Sequence, residues 1–270
     1  MPLINSKSLS IPHIIMADLS YFDRLPGEIR IMIYALLLQD NGNQVIEIRN
    51  ERPEQYKRKS QILRSTYNIV EHTLHRQSRL TTYTTTSNID MHTSIMQVNR
   101  KVYEESAHML YGTHVFSFGR DIEAIVPFFS DLTVQTRPLV TDMALTKQGA
   151  VFSRDYDHCE WDEMCNFLRR NMAIKTLNLT IEGGKPIGGW EGYSVLSADD
   201  FGSYLKVRYE PLEWVWQLLT VKGIRRLEIQ KTVMQIPRAH SNAMNFYAAF
   251  SASVEEGFSE FLRGELLAAV

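Results

Sequence analysis

The densest group of chemically reactive side chains lies between residues 155 and 165. It contains Asp155, Asp157, His158, Cys159, Glu160 and Cys165. Carboxylate, imidazole and thiol groups of this kind bind metal ions or activate nucleophiles. On a helix, however, two cysteines six residues apart face different directions and cannot chelate one ion together. Simpler roles are helix capping for Asp157 and core packing for Cys165. We therefore expect no metal, no cofactor and no catalytic residue here.

Two further candidate sites are incomplete. Residues 183–190 are rich in glycine and follow a predicted strand, where a phosphate-binding loop would lie. That loop needs a serine or threonine after its lysine and an immediate helix, whereas Pro186 follows Lys185. We interpret the segment as a flexible connection. His72 and His75 could share a helix face, but they lack a third ligand for zinc.

The elements that must position any such site alternate between helix and strand after residue 120. Helices are predicted at 121–130, 157–170, 211–220 and 242–267, and strands at 139–145, 174–181 and 224–229. This alternation favours parallel strands joined by crossovers. Two strands share the spacing I-[KR]-x-L-x-[LI], which is typical of leucine-rich repeats, although they stand fifty residues apart. We expect an irregular repeat-like unit that the last helix caps.

The first strong helix begins near Leu25 and Pro26 and ends at Leu38. One apolar stripe follows helical spacing, at Ile29, Met32, Ile33, Leu36 and Leu37, and a second line runs through Ile31, Tyr34 and Leu38. A helix with two apolar faces is either deeply buried or shared between its own core and a partner. The pattern favours a buried helix, and a helix shared between the core and a partner is the alternative.

Residues 49–93 differ in character from the rest of the chain. Between Arg49 and Leu80 there are eight basic and three acidic residues, a net charge of +5, and hydroxyl residues dominate 81–87. We predict a long mobile insertion with a helical piece near Ile62–Leu74. A solvated loop is the simpler interpretation, and a docking or phosphate-binding arm is the alternative.

Composition excludes several classes of protein. Apolar residues make up 44% of the 270, charged residues 22%, and the net charge is −2. These values argue against disorder and against dedicated nucleic-acid binding. The longest apolar run, Ile31–Leu38, is too short for a membrane helix, and Pro12 breaks the one signal-like stretch. Two cysteines suit a reducing compartment, so we expect a cytoplasmic or nuclear protein without a membrane partner.

The phrase from Phe22 to Tyr34 resembles the opening helix of F-box domains. It is closer still to the F-box-like family of filamentous fungi, whose members begin with LP-x-E-[IL]-R-x-x-I-[YW]. Later parts of that signature also have counterparts, at Ile95–Glu105, Leu110–Gly112 and the strand ending at Phe118. The resemblance covers about residues 20–118. More than fifty residues separate Leu38 from Ile95, where a typical F-box continues within a few.

The resemblance implies an adaptor. F-box helices dock on the Skp-type linker of a cullin ubiquitin ligase, and the following domain holds a substrate protein. The docking candidates in this chain are Leu25, Pro26, Ile29, Ile31, Ile33, Tyr34 and Leu38.

The expectation is therefore an α+β chain in three parts. Residues 1–19 would be a flexible N-terminus, and residues 20–118 a helical F-box-like module interrupted by the insertion. Residues 119–270 would form a small α/β repeat-like domain with short parallel strands and a C-terminal capping helix. The expected function is a non-catalytic adaptor or protein-interaction protein. The alternative is a small-molecule- or nucleotide-binding α/β protein, or an enzyme, that uses the cluster at 155–165.

Overall fold

A computed structural model describes residues 21–38, 44–52, 64–70, 78–85, 91–149 and 156–267. These ranges form an α+β fold, as predicted. The helices are Gly27–Leu38 (α1), Arg100–Thr113 (α2), Ile125–Asp131 (α3), Tyr156–Asn171 (α4), Ala198–Lys206 (α5), Glu213–Leu219 (α6), Asn242–Ser253 (α7) and Ser259–Leu267 (α8). The strands are Val45–Glu51 (β1), Tyr67–Val70 (β2), Ser78–Thr85 (β3), Val115–Gly119 (β4), Asp142–Lys147 (β5), Thr176–Pro186 (β6) and Arg226–Ile236 (β7). The predicted N-terminal segment 1–19 lies outside the described residues.

The described strands form one sheet in the order β2-β3-β1-β4-β5-β6-β7. The neighbouring strands β1-β4, β4-β5, β5-β6 and β6-β7 are parallel. At the other edge of the sheet, β1 pairs with β3 and β3 with β2 in antiparallel orientation. The prediction of parallel strands is confirmed. The two strands with the shared spacing are neighbours in register, with Leu177 opposite Leu227 and Leu179 opposite Ile229. The repeated spacing thus places like residues side by side on one buried face.

The glycine-rich segment begins inside a strand, so the prediction of a connection over its whole length is wrong. Gly183 and Gly184 belong to β6, where α7 lies directly against the sheet. A Cβ atom on Gly184 would come within 2.5 Å of the Tyr247 ring, and its N–H donates to Ser251 Oγ at 2.9 Å. Glycine is needed here for close approach. The turn itself is at Gly188 and Gly189, whose φ angles are +102° and +96°.

Three described parts of the basic insertion belong to the sheet, namely residues 49–51, 67–70 and 78–85. The helical piece predicted near Ile62–Leu74 is wrong over residues 64–70, of which 67–70 form β2, and its remaining residues lie outside the described ranges. Carboxylates in and beside α3 hold these strands: Asp131 accepts from Ser65 N–H at 2.9 Å and from the Tyr83 hydroxyl at 2.8 Å. Glu123 accepts from the Asn50 amide at 2.5 Å. A basic, hydroxyl-rich stretch reads as a loop by composition, but these long-range bonds give it partners.

One hydrophobic core runs through the described chain, from Tyr34 in α1 to Leu266 in α8. Strand β4 contributes Phe116 and Phe118 to this core and pairs with both β1 and β5. The boundary expected between residues 118 and 119 therefore falls within a single sheet. The predicted C-terminal helix is present as α7 and α8, joined by a π-helical turn at Val254–Phe258.

Across the described ranges, no helix combines the length and the apolar character that a membrane span requires.

Candidate partner-binding surface on the first helix

Helix α1 is held through a stripe that the apolar pattern did not predict. Its buried side chains are Arg30, Tyr34 and Leu38, which are spaced four residues apart and so lie on one face. Tyr34 and Leu38 are fully buried in the main core, and Arg30 is only 8% exposed. A buried arginine requires a partner, because an isolated charge away from water is strongly unfavourable.

That partner is Glu105 of α2. The Arg30 guanidinium donates to both carboxylate oxygens, from Nε at 2.8 Å and from Nη2 at 2.7 Å, and the Tyr34 hydroxyl donates to Oε2 at 2.9 Å. The hydrogen bonds from Arg30 are the main cause that lowers the pKa of Glu105. Burial, followed by the bond to the carboxylate, raises the pKa of Tyr34 to about 12. The three groups thus form a charge-assisted network that orients α1 on α2.

Further bonds connect the two ends of the interrupted module. Asn99 accepts from the Val102 N–H at 2.8 Å as the N-cap of α2, and its amide donates to Asp23 at 3.2 Å. The N–H of His92 donates to the Leu37 carbonyl at 2.9 Å, at the C-terminus of α1. The chain therefore returns to the first helix after the insertion.

The opposite face of α1 exposes apolar side chains. Ile29 is 42% exposed, Met32 61% and Leu36 80%. Their spacing of three and four residues aligns them along one side of the helix, which we call the outer face. The prediction that this stripe is buried is wrong for these three residues. Apolar residues lie on both sides of α1, so periodicity alone could not select the inner side.

The predicted docking residues divide between the two sides of the helix. Pro26 and Ile29 are exposed, Leu25 and Ile33 are half-buried, and Tyr34 and Leu38 are buried. Ile31 is 53% exposed but lies away from the outer face. Only part of the expected set is therefore available to a partner. Sequence reasoning missed Met32 and Leu36 as surface residues. No local signal gives the inner side, because Arg30 is buried through its pairing with Glu105, 75 residues away in the chain.

Comparison with known families gives a match for the part of the chain that contains α1 and α2. Residues 17–197, about two thirds of the chain, match the family described as Domain of unknown function (DUF7730). The chain belongs to the DUF7730 family. No curated protein and no solved structure matches it.

The matched part of this DUF7730 protein contains α1, the Glu105 network and strands β1 to β6, and it ends just before α5. The candidate surface thus lies within the family's domain.

Only part of the alternative cluster at 155–165 lies within the described residues of this DUF7730 protein. Asp155 and the side chains of Asp157, His158 and Cys159 lie outside the described residues, as do His72 and His75. Cys165 is buried in the core side of α4. In the part of the chain that the structure describes, no three histidine, cysteine, aspartate or glutamate side chains form a group that could hold a metal ion.

Lys147, at the end of β5, is a buried basic residue beside α4. Its ammonium lies 5.2 Å from the Trp161 ring centroid and 5.8 Å from that of Trp214. The Trp161 ring also donates, from Nε1 to the Trp214 carbonyl at 2.9 Å. Cation–π contacts of this kind stabilise the packing of α4 on α6.

Proposed function

We propose that this DUF7730 protein is a non-catalytic, F-box-like adaptor whose outer α1 face docks on the Skp-type linker of a cullin ubiquitin ligase. The observation that carries the proposal is the exposed apolar line of Ile29, Met32 and Leu36 on a helix whose other side is anchored. Exposed large apolar groups in a continuous line are typical of interaction surfaces.

The geometry suits recognition of a helix in a groove. Side chains at positions i, i+3 and i+7 are the usual anchors of such an interface. Full burial of each would contribute about 1–2 kcal/mol, because part of each side chain is already covered by the protein. The Glu105 network holds the helix in place before binding, so little ordering cost is added on association.

The resemblance to F-box domains supports the choice of partner. The motif residues Leu25, Pro26 and Ile29 lie at the start of α1, and Pro26 and Ile29 are exposed. The contact of His92 with Leu37 also brings the later part of the signature back to this helix. The long interruption in sequence is therefore compatible with a continuous module in space.

A binding experiment with a purified Skp-type linker protein tests the proposal. The full chain is titrated with the linker by isothermal calorimetry, and the same titration is made with the double variant Met32→Glu and Leu36→Glu. Glutamate keeps helix propensity, so α1 is retained while the outer face gains two charges. We expect at least tenfold weaker binding by the double variant. The matched control is Val207→Glu, at a residue that is 72% exposed just after α5 and should leave binding unchanged.

Two results would contradict the proposal. Absence of binding by the intact protein removes the linker as the partner. Equal binding by the wild type and the double variant removes the outer face as the docking site.

A further inference from the structure

A groove of about 650 Å³ lies between α5, α6 and α8. Its apolar lining includes Leu205 and Phe261, which are nearly buried, and the half-buried Leu219. Trp216 stands at its side with 39% of its surface exposed. The volume is within the range of ligand and peptide sites, and an exposed tryptophan is a common anchor of interfaces.

Two glycines of this groove have no role in the internal packing. Gly202 lies inside α5 and Gly264 inside α8, and a Cβ atom built on either would meet nothing within 4 Å. Each interior glycine costs a helix roughly 0.5–1 kcal/mol relative to alanine. Their effect in the fold is to leave open space above both helix backbones. Such positions permit the close approach of another chain.

The rim of the groove is acidic. Asp199, Glu260 and Glu265 line it and are exposed, and Lys206 is its one basic lining residue. None of the three carboxylates forms an ion pair with another described side chain. The groove therefore has a negative rim over an apolar floor, which favours a positively charged occupant with apolar side chains.

The surface continues beyond Trp216. A second cavity of about 500 Å³ shares this tryptophan and is lined by Asp162, Tyr209 and Arg208. The Arg208 guanidinium lies 5.2 Å from the Trp216 ring centroid, and Arg208 itself has a φ of +52°. A non-glycine residue in the left-handed region is strained, and Arg208 comes one residue after the C-cap Val207 of α5, at the position where glycine is usual. An arginine side chain is thus kept beside Trp216 at a cost in backbone energy.

We propose that this groove binds a basic peptide segment of another protein, with at least one large apolar side chain seated beside Trp216 and its lysine or arginine residues facing the acidic rim. The apolar floor accounts for the large apolar side chain, the two open glycines for the close approach of a chain, and the negative rim for the lysine or arginine residues. The groove lies entirely after residue 197, outside the part of the chain that matches the family. The proposal does not depend on docking by α1.

Selection from a displayed library of random 12-residue peptides on the full-length protein tests this proposal. We expect the enriched peptides to combine lysine or arginine with tryptophan, phenylalanine or leucine. A labelled enriched peptide should bind at least tenfold more weakly to Glu260→Lys. The matched control is Glu256→Lys, one turn earlier in the chain and also exposed but absent from the groove lining.

A second pair of variants separates binding from folding. Gly202→Leu with Gly264→Leu should not lower the melting temperature, because both sites have room and leucine favours helix. The same double variant should lose peptide binding at least tenfold, because the leucines fill the open space. Met32→Glu with Leu36→Glu should retain peptide binding, which keeps this test independent of the adaptor proposal.

Three outcomes would overturn the inference. One is enrichment of peptides without a basic bias, and another is full binding by the filled-glycine variant. The third is concentration-dependent self-association of the protein that Glu260→Lys abolishes, which would assign the groove to a second copy of this chain.

Discussion

Replacement of Tyr34 by phenylalanine tests whether the Glu105 network orients the first helix. The change removes one hydroxyl that donates to Glu105 Oε2 at 2.9 Å and leaves the fully buried ring in place. Arg30 still holds the carboxylate through two bonds, so the network is weakened rather than broken.

The expected loss is moderate and measurable. A hydrogen bond to a charged group contributes about 1.5–3 kcal/mol, and the remaining arginine bonds place Tyr34→Phe near the lower value, about 1.5 kcal/mol. At about 2.1 cal/mol/K per residue, the chain has an unfolding entropy of about 570 cal/mol/K, so the melting temperature should fall by about 3 °C. Tyr21→Phe, at a residue that is 87% exposed, is the control and should change neither quantity.

The assay is urea unfolding of the wild type, Tyr34→Phe, Glu105→Gln and the double variant from pH 7 down to about pH 2. The pKa of Glu105 is lower in the folded state, so its ionised form stabilises the protein above the unfolded value of about 4.5. That contribution is lost as the pH falls through the folded pKa. We therefore expect the difference between wild type and Glu105→Gln to shrink on acidification.

The double-mutant cycle gives the decisive result. If the network is correct, Tyr34→Phe should cost much less in the Glu105→Gln background than in the wild type. An equal cost in both backgrounds, or no cost in either, would refute the role given to Glu105. The claim that this network fixes which side of α1 faces outward would then also be refuted.

Three other predictions concern the rest of the fold. Gly184→Ala should destabilise by about 1–3 kcal/mol, because its Cβ meets the Tyr247 ring; an unchanged denaturation midpoint would contradict the close packing of α7. Asp131→Asn should speed amide exchange in residues 64–70 and 78–85, because the carboxylate that accepts from Ser65 is lost; unchanged protection would show that other bonds hold these strands. Ser197→Ala should cost about 1 kcal/mol by thermal unfolding, since it removes the capping box of α5; full retention of stability would argue against that cap.

Much of the architecture was predictable because it depends on local periodicity. The spacing I-[KR]-x-L-x-[LI] marked β6 and β7, and the helix predicted at 157–170 corresponds to α4, whose buried side includes Trp161 and the expected core residue Cys165. These segments have one clear apolar face, so the pattern selects a single orientation. Helix α5 was missed, although Ser197 followed by Asp200 is a recognisable capping box.

The prediction for the basic insertion was wrong for a different reason. Strand β3 is rich in hydroxyl residues, and its partners lie at distant positions: Thr82 pairs with Glu51 of β1, and the Tyr83 hydroxyl donates to Asp131 at the end of α3. Strand propensity depends on the neighbours that a strand acquires, which a local window does not contain.

By itself, the sequence determined the α+β class, the parallel strands and the position of the first helix. Those features follow from residue spacing along the chain. Only the tertiary structure decided which side of α1 faces outward and that α5, α6 and α8 enclose an acidic groove. The reason is that both depend on the positions of residues that are distant in sequence. Arg30 pairs with Glu105 and so sets the inner side of a helix with apolar residues on both sides, and Gly202 and Gly264 line one groove although more than sixty positions separate them.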